Sequence, residues 1–213
     1  MNRIPGCFFW FVLLLTPALL AKSNLRVWTS AGVSYGLNKK INLGFEQDLR
    51  LDDSGREFDE TLSDFSLSLK LSKAIRLGLG YRFELGGKSD ALKQGQRTHV
   101  QMRIKQKLGP FWGAYRLRLQ YHLSDVERAV RQRLNLGWDL SKTLRPRVGL
   151  ELFSDELKKL HFPLNKFRWT AMLSYRMTKS QALELFSHMH QDLKDDDPLE
   201  YVAGLNYRYR LRP

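Results

Sequence analysis

The sequence predicts an all-β chain, a transmembrane antiparallel up-and-down β-barrel of 10–12 strands, with 12 preferred. Three observations predict it. Apolar and polar residues alternate with a period of two through most of the chain beyond residue 23. The alternating stretches are about 9–13 residues long, close to the ~9–11 that a tilted strand needs to cross a bilayer. Tight turns and longer polar loops then take turns between them, as in a meander of hairpins.

The first element is a leader. Met1 to Ser23 carries Arg3, an apolar run from Cys7 to Leu15, a helix-breaking Pro17 and the small-residue exit Ala21-Lys22-Ser23. This is the pattern of a cleaved secretory signal peptide. The expected division is therefore 1–23 signal peptide and 24–213 barrel domain. The only cysteine among 213 residues lies in the leader, which excludes a disulfide scaffold and a Cys-based metal site. Export also argues against a nucleic-acid partner, although 35 Lys+Arg outnumber 22 Asp+Glu.

The strands follow in order. Residues 25–37 alternate weakly. In 41–51, Ile41, Leu43, Phe45, Leu49 and Leu51 oppose Asn42, Gly44, Glu46, Asp48 and Arg50. A third strand falls near 61–71. The clearest is 75–85, where Ile75, Leu77, Leu79, Tyr81, Phe83 and Leu85 point one way and Arg76, Gly78, Gly80, Arg82 and Glu84 the other. Gly78 and Gly80 are expected to make room for neighbouring arginines. Residues 97–108 come next, then 111–123, with Tyr115, Leu117, Leu119 and Tyr121 against Arg116, Arg118, Gln120 and His122. Further strands fall near 130–140, 144–154, 166–177, 181–191 and 199–211.

The tight turns are Asn38-Lys39-Lys40, Ser72-Lys73-Ala74, Gly109-Pro110, Ser141-Lys142-Thr143 and Thr178-Lys179-Ser180. Leu71-Ser72-Lys73-Ala74-Ile75-Arg76 recurs as Leu140-Ser141-Lys142-Thr143-Leu144-Arg145, and Glu151-Leu152-Phe153-Ser154 as Glu184-Leu185-Phe186-Ser187. Bacterial barrels of this kind have even strand numbers. Eleven readable strands therefore predict either a twelfth, with 86–100 as the candidate stretch, or one of the eleven lying outside the wall, and twelve is preferred.

A soluble barrel would turn its apolar face inward. About eleven strands, each with five or six large apolar side chains, would leave an interior too wide to fill at protein density. Facing outward, the same residues suit lipid. That face holds Tyr35, Phe45, Phe65, Tyr81, Phe83, Phe111, Tyr115, Trp138, Phe167, Trp169, Tyr175, Tyr207 and Tyr209. Closing the sheet also gives every backbone donor a partner away from water.

The inward face then carries the charge. Its basic residues are Arg26, Arg50, Lys70, Arg76, Arg82, Arg97, Arg103, Lys105, Lys107, Arg116, Arg118, Arg131, Arg133, Arg145, Arg147, Arg168, Arg176, Arg208 and Arg210. Its acidic residues are Glu46, Asp48, Asp64, Glu84, Asp139, Glu151, Glu184 and Glu200. The excess equals the whole +11 left after cleavage at Ser23. Eight carboxylates cannot neutralise nineteen cations in a dry core, so the interior is expected to hold water or anions. The R-x-R pairs at 116/118, 131/133, 145/147 and 208/210 set two guanidiniums about 6.6–7 Å apart on one face. Arginine, with planar bidentate donors, suits carboxylates and phosphates. The expected anion-binding residues of the lumen are Arg76, Arg82, Arg103, Arg116, Arg118, Arg131, Arg133, Arg145, Arg147, Arg168, Arg176, Arg208 and Arg210.

The early Trp28, the R-x-R strands, the stretch from Leu144 to Phe153 and the closing Tyr207-x-Tyr209 resemble an uncharacterised bacterial family of outer-membrane β-barrels, a domain of unknown function. The resemblance implies fold and location and brings no activity. One departure is the C-terminus, where Arg212-Pro213 follows the alternating Tyr209 and Leu211 in place of a terminal aromatic.

Catalysis finds little support. His99, His122, His188 and His190 face inward and His161 lies in a loop, with no His-x-Ser-Asn stretch and no phosphate-cradling glycine loop. No catalytic residue, metal site or cofactor is assigned. The loop from Asp192 to Asp197 could gather divalent cations between lipopolysaccharide phosphates. The expected partners are outer-membrane lipid and lipopolysaccharide, the barrel-assembly machinery and small anionic solutes. The expected function is a narrow, porin-like, anion-favouring channel for small solutes. The alternatives are a plugged structural barrel and a lipid-modifying enzyme.

Overall fold

A computed structural model describes residues 25–52, 55–87, 92–124, 127–155, 163–193 and 199–211. The leader, His161, the acidic loop beyond Leu193 and Arg212-Pro213 lie outside the described residues. Eleven strands form the wall: β1 (Leu25–Gly36), β2 (Ile41–Asp52), β3 (Glu57–Lys70), β4 (Ile75–Gly86), β5 (Lys93–Leu108), β6 (Phe111–His122), β7 (Arg128–Trp138), β8 (Leu144–Asp155), β9 (Lys166–Arg176), β10 (Gln181–Asp192) and β11 (Glu200–Leu211). Each pairs with its sequence neighbour, and β1 closes the barrel against β11.

The preference for twelve strands is corrected to eleven. The stretch 86–100 supplies an earlier start to β5, at Lys93, and no extra strand among the described residues. The antiparallel expectation is corrected at one seam, because β1 and β11 run parallel, Leu25 opposite Tyr201 and Tyr35 opposite Leu211. An odd number of strands joined by hairpins makes the first and last point the same way. Leu25 thus stands at the long-loop mouth and Leu211 at the short-turn mouth.

The alternation sorts the two faces as the sequence predicts. Leu43, Phe65, Leu79, Val100, Leu119, Leu134, Trp169, Leu185 and Leu205 are exposed on the outer wall. Phe45 and Phe65 face each other across β2 and β3 with ring centroids 5.0 Å apart. Four short turns share one construction. The side-chain oxygens of Asn38, Ser72, Ser141 and Thr178 each accept the backbone N–H groups two and three residues on. This explains the recurring Asn/Ser/Thr-Lys pattern.

Glycine makes room inside, though for different neighbours than expected. A Cβ on Gly78 would meet the Gln101 side chain, and one on Gly80 the His99 imidazole, so the space serves these groups and not arginines. Gly137 likewise lies beneath the Trp112 ring. Pro146 sits one residue beyond the last β7–β8 pair, Gly137 with Arg147, where a missing N–H breaks no ladder bond.

Candidate functional site in the lumen

The barrel encloses a cavity of about 940 Å³. Of the thirteen predicted arginines, twelve line it. Arg76 is the exception, and stands opposite Arg103 on the same face of the β4–β5 pair. The lining runs from the short turn at Thr178 to Trp28, Arg168 and Glu60 toward the other mouth.

Charge is unevenly matched within this space. Across β2–β5, Arg50, Arg82 and Arg97 are paired. Arg50 meets Glu60, Arg82 donates through Nε to Asp64 at 2.8 Å, and Arg97 lies 2.7 Å from Glu84. On the β6–β9 wall Glu151 serves three cations at once, Arg116 at 2.6 Å and Arg133 and Arg168 at 3.8 Å each. Its side chain is only 2% exposed. Glu184, at the equivalent place of the repeated Glu-Leu-Phe-Ser stretch, takes Arg208 at 3.1 Å and accepts from Asn206. Arg145 reaches Asp139 at 3.0 Å. Asp139, in the β7–β8 turn, also accepts from Lys107 at 2.6 Å, and that bond leads the causes holding its carboxyl below the ordinary value.

Seven of the predicted arginines have no carboxylate within ion-pair distance among the described residues: Arg76, Arg103, Arg118, Arg131, Arg147, Arg176 and Arg210. Arg118 donates instead to the Gln101 amide oxygen at 2.9 Å. Arg131 lies over Phe153, 4.7 Å from the ring centroid. The buried Nε groups of Arg116, Arg131, Arg133, Arg147 and Arg168 have no hydrogen-bond partner among the described residues.

Sequence reasoning missed an aromatic cluster on the inner face. Trp28 lies under the Arg50 guanidinium at 4.0 Å and near that of Arg168 at 5.3 Å, and packs edge-on against His188 and His190. Phe186 stacks on His188, with centroids 4.7 Å apart. His188 shares a 2.9 Å hydrogen bond with Thr170, and His190 lies 3.7 Å from Glu200. The even positions of β1 and β10 carried this signal, since the same alternation that sends Arg26 inward sends Trp28 inward. Asp52 and Glu60, partners of Arg26 and Arg50, were also missed. The bulge between Arg50 and Leu51 and the early start of β3 bring them onto the wall.

No curated protein matches the chain. Residues 25–200, which reach from the first strand to the start of the last, match the family described as a protein of unknown function, DUF2490. With its barrel wall and arginine-lined interior, the chain belongs to that family.

Proposed function

We propose that the protein is an exported barrel of the bacterial outer membrane whose lumen passes small anionic solutes. The supporting observation is the cavity of about 940 Å³ lined by arginines, several of which have no carboxylate partner among the described residues. Outward Leu, Phe, Trp and Tyr give the wall a surface suited to lipid, and the closed sheet leaves no strand edge. Inside, a surplus of fixed cations attracts anions and repels cations, as rings of Arg do in anion pores.

Reconstitution of the mature chain in a planar bilayer tests this reading by the reversal potential across a KCl gradient. Steady conductance with anion preference is expected. Arg→Ala changes at Arg116, Arg118, Arg131 and Arg133 should move the reversal potential toward the non-selective value. A second reading, a plugged barrel, is favoured by the Trp28–His188–His190 cluster and the buried Leu62 and Val202, which occupy the lumen toward the long loops. It predicts a folded, silent barrel.

A further inference from the structure

We propose that the short-turn half of the lumen is a binding site for polyanions, solutes bearing two or more phosphate or carboxylate groups. The site centres on Arg103, Arg116 and Arg133, with Arg147 and Arg208 beside them. It rests on the reading of the lumen as an anion-accepting space but does not require that solutes cross the barrel.

The strand register carries the inference. Arg76 stands opposite Arg103, Arg103 opposite Arg116 and Arg116 opposite Arg133, so four successive strands present four guanidiniums in one inward row. Neighbouring strands are about 4.8 Å apart, so the row offers a cation roughly every 5 Å. Like charges directly opposite one another destabilise a sheet. Local carboxylates relieve this row only at its Glu151 end. Arg76 and Arg103 have none among the described residues, and Arg116 and Arg133 share Glu151 with Arg168. Glu60, Asp64 and Glu84 are engaged by Arg50, Arg82 and Arg97.

A ligand that supplies several negative oxygens in a line meets this arrangement in a way that one chloride cannot. Each guanidinium can grip a phosphate or carboxylate through two parallel hydrogen bonds. Arg103 and Arg208 are exposed within the cavity, which Arg147 also lines. The entrance is marked as well. Lys39, Lys73, Lys142 and Lys179 are exposed in four of the short turns, and the cavity lining reaches the Thr178–Gln181 turn. This collar steers anions toward the same mouth.

The test uses the mature barrel refolded in detergent. Its urea midpoint is followed against inorganic phosphate, tripolyphosphate and citrate at matched ionic strength. Saturable stabilisation by a multivalent ligand, with about tenfold tighter binding than phosphate or ~1.4 kcal/mol, is the expected result. Tripolyphosphate and citrate separate a phosphate from a carboxylate preference. Arg103→Gln should abolish the discrimination while leaving the ligand-free midpoint unchanged or higher, because it relieves a like-charge row. Equal shifts with all three anions overturn the proposal, as does a folded Arg103→Gln barrel that binds as the wild type does. If that variant fails to fold, the wild-type titration decides. A barrel that binds tripolyphosphate but carries no current supports the site and overturns permeation. One that conducts without discriminating among the anions overturns the site alone.

Discussion

Glu151 shows why single residues in this lumen carry unequal weight. Buried at 2% side-chain exposure, it is the shared counter-charge of Arg116, Arg133 and Arg168. Removing one partner of a buried ion pair leaves an uncompensated charge and costs about 3–5 kcal/mol. Glu151→Gln should therefore lower the unfolding free energy of the refolded barrel, read from urea titration, by an amount in that range. Adding Arg133→Met should restore part of the loss, since one orphaned cation is then gone. Arg168 differs from its neighbours in lying also against Phe153 and Trp28, with centroid distances of 5.1 and 5.3 Å. Aromatic faces give its charge a second partner. The sequence assigned all three arginines to the lumen but not their common dependence on one carboxylate, because that depends on which strands are neighbours.

At the level of strands, glycine positions separate local preference from packing. β4 carries Gly78 and Gly80 on its inner face, in positions where strand propensity favours a larger residue. Here the opposite side of the space is already filled, by Gln101 and His99 of β5. Gly80→Ala should destabilise the barrel by about 1–3 kcal/mol, the cost of overpacking. Gly113→Ala, on the outer wall with only Leu136 at 3.7 Å, should leave the midpoint nearly unchanged. A matching loss at both sites, read by urea unfolding, would show that backbone freedom and not the His99 contact sets the need for glycine. The alternation in 75–85 made both glycines legible as inward. Their neighbours were not legible, since which β5 side chain lies opposite is fixed by register across the hairpin.

The whole barrel is shaped by its odd strand number. With β1 parallel to β11, the two ends of the wall lie at opposite mouths, Leu25 with the long loops and Leu211 with the short turns. Protease-cleavable tags placed before Leu25 and after Leu211 should therefore be cut from opposite sides of a sealed vesicle. Cleavage of both from one side would contradict the eleven-strand closure. Charge follows the same axis in part: the turn lysines and Arg76, Arg103, Arg147, Arg176 and Arg210, which have no carboxylate partner among the described residues, lie toward the short-turn mouth, while Arg118 and Arg131 lie nearer the long loops with the aromatic–histidine cluster. The sequence by itself determined the strands, their turns and the face of each side chain, because alternation arises from the bond geometry of one extended chain. It placed all eleven strands, shortening β3 and β5 by four residues at their starts. Only the tertiary structure decided the parallel seam, the pairing of some arginines and the isolation of others, and the ladder from Arg76 to Arg133. These depend on register and closure between strands, which join residues far apart in the chain and leave no periodic mark within any one strand.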